Sequence, residues 1–523
     1  MPPSLPPPSS LPALLSPTVP AAWLAALPDV VAAGLSSGWP WLFTLAEWLI
    51  RLVMLVYVPQ RRAPAAARTW LLLIFFLPWL GLLLYALFGR IYYPKSRRLK
   101  LARINQGIER VRGPLERFAP VQPLPAGVSA DAAGLIERLG SYWPMRGNAV
   151  ELMDDYGAVV ARMIADIDGA ARQVHLLVYI YAADATARAF TDALLRAAAR
   201  GVQCRLLVDA LGARAGWRAF AQPLRHGGVE VVQALPMRSL SAVLKGKSAR
   251  FDLRNHRKIL VVDGSIGYIG SQNVIDAEST PGLPNEELVA RVTGPVVTQL
   301  QAVFLADRYL ETGETGEAGQ AAQTEGGGFV AGNFPPPQAA GAHTAQMLPS
   351  GPGYGTQNAQ MALVSMIHRA RARVVITTPY FVPDEAFLQA LQLACYRGVA
   401  VHLVLSRRID QRFTQAAQEA YFGVLLDAGV HIHLYKPAFL HAKHVTIDDE
   451  VAMVGSTNMD IRSFALNAEA ALVIYDHAVV ARMREIQARY FRDSAQVDRA
   501  AWQRRPLRRR TWQNLCRLAD SLL

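Results

Sequence analysis

Two stretches of the chain read His-x-Lys-x4-Asp, and each runs on into Gly-Ser-x-Asn. The first supplies His256, Lys258 and Asp263, then Ser271 and Asn273; the second supplies His441, Lys443 and Asp448, then Ser456 and Asn458. A lone His-x-Lys is usually a surface pair, but two copies with one internal spacing are not a chance event. An imidazole can attack phosphorus and form a phosphoenzyme intermediate, which splits one hard displacement into two. In-line displacement needs a nucleophile on one side of phosphorus and a proton donor for the leaving oxygen on the other. One histidine cannot stand in both places, and two motifs fill both. The ammoniums of Lys258 and Lys443, with the side chains of Ser271, Asn273, Ser456 and Asn458, would stabilise the phosphoryl oxygens, a task a metal performs elsewhere. No metal-ligand cluster stands out: His441 and His444 face opposite ways on a predicted strand. The chemistry indicated is phosphodiester transfer, with neither metal nor organic cofactor expected.

Each motif passes through an apolar run into a turn and out again. Asp263-Gly264-Ser265 separates Ile259–Val262 from Ile266–Ile269, and Asp448-Asp449-Glu450 separates Val445–Ile447 from Val451–Val454. These patterns predict β-hairpins. Alternate strand residues share a face, so His256 and Lys258 point one way, as do His441 and Lys443. Folding about Gly264-Ser265 and Asp449-Glu450 sets Lys258 opposite Ser271, His256 opposite Asn273, Lys443 opposite Ser456 and His441 opposite Asn458. Asp263 and Asp448 belong to the catalytic motif, yet their place near the turn reads as a structural anchor.

An internal repeat surrounds the motifs. Arg172–Tyr179 matches Arg373–Tyr380, Ala199–Val208 matches Tyr396–Leu405, and Gly228–Val231 matches Gly429–Ile432. Downstream, Asn285-Glu286-Glu287 matches Asn467-Ala468-Glu469. Glu287 and Glu469 are candidates to orient the histidines through the ring nitrogen not used in chemistry; the plainer alternative is a salt-bridged carboxylate at a sheet edge. Each half reads strand, helix, strand, helix, strand, then the motif hairpin. Apolar strands between alanine-rich helical stretches predict an α/β fold with sheets covered on both faces. Two pseudo-symmetric lobes would share one cleft, joined by a loop near Gly316 to Gly341.

The flanks point to a membrane. Residues 1–38 form a Pro/Ala-rich tail without Lys or Arg, so no cleaved signal peptide is predicted. Trp41–Val58 is apolar except for Glu47 and Arg51, which can pair on one helix face; Trp70–Gly89 is apolar throughout and contains Pro78. A bilayer core takes about 20 apolar residues as a helix, so two transmembrane helices are predicted within 39–89. A basic juxtamembrane linker at 90–140 follows, then lobes at 141–314 and 344–497 around a loop at 315–343. The last segment, 498–523, sets Arg504–Arg510 before a stripe of Trp512, Leu515, Leu518 and Leu522. That reads as an interfacial helix for anionic headgroups. Arg90, Lys95, Arg97, Arg98 and Lys100 outnumber Arg61, Arg62 and Arg68 of the hairpin loop, which predicts a cytoplasmic catalytic side. A formal net charge of +13 suits an anionic partner, and the membrane segments favour lipid over nucleic acid. Three scattered cysteines, Cys204, Cys395 and Cys516, argue against a disulfide framework.

The doubled motif resembles the phospholipase D superfamily. The apolar N-terminal pair, Ser350-Gly-Pro-Gly353, Thr377–Pro383, Asn458–Ser463 and Trp502–Leu507 narrow the resemblance to bacterial cardiolipin synthases, over roughly residues 40 to 523. The resemblance implies a phosphatidyl transfer between two phosphatidylglycerol molecules through a phosphohistidine, at the bacterial inner membrane. It implies His256 as nucleophile and His441 as acid and base, although the two motifs are equivalent in sequence. Anionic lipid is the implied partner and nucleic acid is not. A phospholipase D hydrolase of the same superfamily is the alternative, followed by a nucleic-acid phosphodiesterase. The acceptor alcohol and the oligomeric state are not read from the sequence.

Overall fold

The computed structural model describes residues 40–62, 64–89, 93–110, 115–120, 124, 127–236, 250, 252–280, 282–313 and 334–518. The tail at 1–38, most of the joining loop, Arg90 and Leu522 lie outside them. Contacts divide the chain into two units, Met1–Ile91 and Tyr92–Leu523.

The first unit corrects the expectation of two continuous spans. The helix Pro40–Tyr57 forms, with Arg51 Nη2 at 3.3 Å from Glu47 Oε2 as expected. The second apolar stretch is broken into helices Pro64–Phe76 and Pro78–Leu84, followed by a π turn at Tyr85–Gly89. Pro78 causes the break, because its nitrogen carries no hydrogen to donate and its ring crowds the preceding turn. Among the described residues, no helix is long and apolar enough to cross a membrane. The unit has a small core of Met54, Val58, Ala67, Ile74 and Tyr85. Trp41, Phe43, Leu49, Leu55, Leu72 and Phe76 are exposed.

The second unit is built on one long sheet. The first lobe supplies β1 (Met145–Met153), β2 (Gln173–Val178), β3 (Gln203–Asp209), β4 (Glu230–Ala234) and the short β5 (Arg254–Asn255). The hairpin β6 (Ile259–Val262) and β7 (Ile266–Gly270) follows, then β8 (Asn285–Glu286) and β9 (Val289–Thr293). The second lobe supplies β10 (His343–Ser350), β11 (Arg373–Thr377), β12 (Phe381–Val382), β13 (Ala400–Ser406), β14 (His431–Tyr435) and β15 (Phe439–Leu440). Its hairpin is β16 (His444–Ile447) and β17 (Val451–Gly455), followed by β18 (Met459–Asp460), β19 (Asn467–Ile474) and β20 (Ser494–Gln496). Outward from the centre, β10-β19-β17-β16-β11-β13-β14 mirrors β1-β9-β7-β6-β2-β3-β4. β1 and β10 pair antiparallel, so each lobe covers the edge the other would expose.

The repeat is visible in local detail. Asp184 and Asp384 each cap the helix after the first repeat strand, accepting from Ala187 N and Phe387 N at 2.9 Å. β2 is buried along its whole length, as expected of a strand covered on both faces. A central core takes Val303 and Phe304 from one lobe and Met483 and Tyr490 from the other. The segment expected as a linker is folded into this unit. Its helix Val128–Gly140 buries Val128, Ala132 and Ile136, and Arg97 of the helix Lys95–Arg110 pairs with Glu311 at 3.0 Å.

Both hairpins sit one residue away from the expected register. Val262 pairs with Ile266 and Ile447 with Val451, leaving three-residue loops rather than two. The cause is the aspartate, which adopts a left-handed conformation at φ 53° in Asp263 and 51° in Asp448. Short polar side chains tolerate that region, and three-residue hairpin loops use it. Each carboxylate is consumed by backbone. Asp263 accepts from the N–H groups of Ala171, Arg172 and Gln173 at 2.8–2.9 Å, and Asp448 from Arg371, Ala372 and Arg373 at the same distances. Both aspartates therefore clamp the hairpin to the start of β2 or β11. The His-x-Lys triplets lie ahead of β6 and β16 rather than within them.

Candidate active site

Two short parallel ladders cross between the lobes. Arg254 and Asn255 pair with Asn467 and Ala468, while Phe439 and Leu440 pair with Asn285 and Glu286. Each ladder ends one residue before a motif histidine on one strand and one residue before the other lobe's glutamate on the other. The His256 and His441 N–H groups extend the ladders, donating to Ala468 O and Glu286 O at 2.8 Å. The side chains then meet across the lobes. His256 Nδ1 lies 2.9 Å from Glu469 Oε1, and His441 Nδ1 lies 2.7 Å from Glu287 Oε1. A carboxylate at Nδ1 fixes the hydrogen there and leaves Nε2 with its lone pair. The two glutamates therefore orient the histidines, and each orients that of the opposite lobe.

The remaining motif residues divide into two groups. Lys258 Nζ donates to His256 O, and Lys443 Nζ to His441 O, both at 2.6 Å. These bonds curl each ammonium back beside its histidine. The serine hydroxyls are spent on the glutamate segments instead of facing the lysines, as the shifted register requires. Ser456 Oγ donates to Glu469, and Ser271 Oγ accepts from Leu288 N at 3.1 Å. Asn273 Oδ1 accepts from Ile180 N at 3.1 Å. The motif glycines have a steric reason: a Cβ on Gly270 would strike Leu288 O, and one on Gly455 would strike Ala470 O. The backbone next to each glutamate passes too close for any side chain.

Several neighbours were not assigned from the sequence. The Tyr179 ring stands edge-on to His256 at 4.8 Å, with Lys258 Nζ 5.4 Å from its centre. Its repeat mate Tyr380 donates to Asp410 at 2.6 Å and faces Phe439, whose ring is 5.4 Å from His441. The repeat alignment ends on both tyrosines, so a signal was present. Arg257 is buried, paired with Asp307, and donates to Glu469 O at 2.9 Å. The equivalent residue in the second motif is Ala442, which has no side chain to brace Glu287 in the same way. Asp460 caps the helix Ile461–Ala465 through Ser463 N, and burial raises its carboxyl to about 6.

Burial dominates the electrostatics. It lowers His256 to about 4 against the pull of Glu469, and lowers His441 against that of Glu287. It also lowers Lys258 to about 7 and Lys443 to about 8, despite both glutamates. The same burial works to raise Glu287 and Glu469, but the facing histidine and lysine charges outweigh it and hold both carboxyls below their ordinary value. The site thus keeps two carboxylates ionised behind two imidazoles, with two ammoniums that lose their protons easily.

Known proteins match this chain over most of its length. The family model described as "Cardiolipin synthase, PLD-like domain" covers residues 163–308 and 363–490, and "Phospholipase_D-nuclease N-terminal" covers 48–90. Cardiolipin synthase A of Yersinia pseudotuberculosis serotype O:1b (strain IP 31758) is 32% identical over 493 residues, spanning 92% of this chain and 98% of that protein. Cardiolipin synthase A of Yersinia pestis matches to the same extent, 32% over 92% of this chain. The crystal structure of phosphatidylserine synthase from Haemophilus influenzae Rd KW20 has the same fold, with a TM-score of 0.54 at 12% identity over 72% of this chain and 95% of that one. With two motif lobes, crossed histidine–glutamate pairs and relatives aligned over nearly its whole length, the chain belongs to the cardiolipin synthases of the phospholipase D superfamily.

Proposed function

We propose that the chain moves a phosphatidyl group from one phosphatidylglycerol to a hydroxyl of a second, releasing glycerol and forming cardiolipin. The observation that carries this reading is the reciprocal pairing of each motif histidine with the glutamate of the other lobe. Burial holds His256 at about 4, so it stays unprotonated at physiological pH. Its Nε2 attacks phosphorus, and the bond to the glycerol oxygen breaks. His441 enters this step as the imidazolium, favoured by the Glu287 carboxylate against burial, and gives its Nε2 proton to that oxygen. It then takes a proton from the acceptor hydroxyl, which attacks phosphorus and breaks the phosphorus–nitrogen bond. Lys258 and Lys443 hold the phosphoryl oxygens, together with the amide groups of Asn273 and Asn458. Ser271 and Ser456 keep the glutamate segments in place.

Water competes for the intermediate, so a transferase benefits from a high local concentration of lipid hydroxyl. The exposed tryptophans, phenylalanines and leucines of the N-terminal unit support its insertion in the bacterial inner membrane as an apolar helical pair. The catalytic unit then lies on the cytoplasmic side, as the excess of basic residues beyond that pair supports.

The pH dependence tests the lysine roles. A lowered lysine pKa means the ammonium is lost as pH rises through it, so the loss falls on the alkaline side. In the free enzyme the lysines are expected to add a loss of kcat/KM with an apparent pKa between about 7 and 8, above the earlier loss set by deprotonation of His441. Lys258→Arg, whose guanidinium does not titrate there, should move the decline up toward the Lys443 value. A decline near the ordinary lysine value of 10.5 would remove the buried ammoniums from the account.

A further inference from the structure

The helix Leu507–Arg517 turns one side inward and one side out. Gln513 and Cys516 are buried, with Cys516 against Ala416 and Ala417 of the helix Arg412–Ala428. Arg509 and Gln513 both bond Glu419, at 2.9 and 2.6 Å, so the docking is specific and the helix is fixed in rotation. The opposite side is open and carries large apolar side chains beside Thr511 and Asn514. Leu507 is 75% exposed, Trp512 55%, Leu515 54% and Leu518 78%. A helix advances about 100° per residue, which sets Leu507, Leu515 and Leu518 on one outward stripe with Trp512 at its flank. From Arg499 through Leu518 the sequence carries seven arginines and no acidic residue. Arg504, Arg508 and Arg510 are exposed around the stripe.

The stripe is also tied to the cleft. The Trp512 ring meets Phe413 edge-on at 6.3 Å, and Phe413 lies in the first turn after the Asp410 loop. Asp410 holds the Tyr380 hydroxyl at 2.6 Å, and Tyr380 stands 6.2 Å from Phe439, the neighbour of His441. A run of contacts therefore connects the apolar face to the second-lobe wall of the active site.

We propose that this helix, with Phe413 beside it, docks on an anionic lipid surface and does so independently of the N-terminal unit. Charge complementarity selects the occupant: a leucine stripe alone fits many partners, whereas one ringed by arginines with no acidic residue fits a negatively charged bilayer. Docking there would hold the second lobe's side of the cleft against the layer that holds the substrate. That last step rests on the phosphatidylglycerol reading; the docking itself does not.

The test uses the full chain reconstituted in nanodiscs of phosphatidylcholine alone or of phosphatidylcholine with phosphatidylglycerol. Amide hydrogen exchange is followed in peptides covering 505–518, and cardiolipin is measured on the same discs. Exchange there is expected to slow by about tenfold or more only in the anionic discs, since the arginines around the stripe are drawn to such a surface. Arg508→Glu with Arg510→Glu should abolish the protection, as should Leu515→Asp with Leu518→Asp. All four side chains are exposed, so exchange in the rest of the unit should not change. Equal exchange in both discs overturns the proposal. Protection that follows protein concentration and ignores lipid charge also overturns it, in favour of a second copy of the chain. Protection without any cardiolipin would keep the docking surface and sink the transfer reading.

Discussion

His256→Ala is expected to lower cardiolipin formation by at least about 10⁴-fold, the scale on which a paired nucleophile and base fail when one is removed. His441→Ala should be as severe with phosphatidylglycerol, because glycerol is a poor leaving group without a proton. The two variants separate on a phosphodiester whose leaving group is already acidic, such as a nitrophenol. That substrate needs no proton to depart. His441→Ala should then release one equivalent of nitrophenol in a burst and retain a covalent phosphoryl adduct, since the base for the second step is missing. His256→Ala should give neither burst nor adduct. The reverse pattern would exchange the two roles. The Tyr179 ring against His256 and the burial that holds His256 at about 4 are the structural reasons for expecting this order.

The glutamates should divide in the same way, with each acting on the histidine of the opposite lobe. Glu287→Gln keeps an acceptor for His441 Nδ1 but removes the charge that stabilises its imidazolium. Turnover of phosphatidylglycerol is expected to fall by about 10²–10³-fold, while the burst on the activated diester stays near its full rate. Glu469→Gln acts on the attacking imidazole and should slow both reactions by a similar factor. A purely structural role for either residue would not distinguish the two substrates. If Glu287→Gln slowed the burst and Glu469→Gln spared it, each glutamate would serve the histidine of its own lobe, contrary to the distances of 2.7 and 2.9 Å.

The parts legible in the sequence were those set by repetition. Two motif copies with one spacing, and repeat segments ending on Tyr179 and Tyr380, were sufficient for two α/β lobes. Matching Asn-x-Glu segments also identified Glu287 and Glu469 as candidates to orient the histidines. What the sequence could not give was the crossing. Parallel pairing of β5 with β19, and of β15 with β8, joins residues 213 and 154 positions apart through ladders only two residues long. No periodicity marks a strand that short. The hairpin register was missed for a local reason. Asp263 and Asp448 adopt a left-handed conformation that lengthens the loop by one residue, and that single step redirects Ser271 and Ser456 from the phosphate to the glutamate segments. Arg257 sits at the variable position of the motif, where the other lobe has Ala442, so the repeat gives no signal for its brace on Glu469. The apolar run through Pro78 shows the opposite failure, since hydropathy alone hid a helix break that the proline imposes.

The most direct test of two-histidine phosphatidyl transfer is product stoichiometry. Purified full-length chain in anionic liposomes receives phosphatidylglycerol labelled in both its headgroup and its acyl chains, beside a His256→Ala control. One glycerol should appear for each cardiolipin, with almost no phosphatidic acid and neither product in the control. Phosphatidic acid and glycerol in equal amounts without cardiolipin would mean that water, not lipid, takes the phosphatidyl group, and would contradict the account.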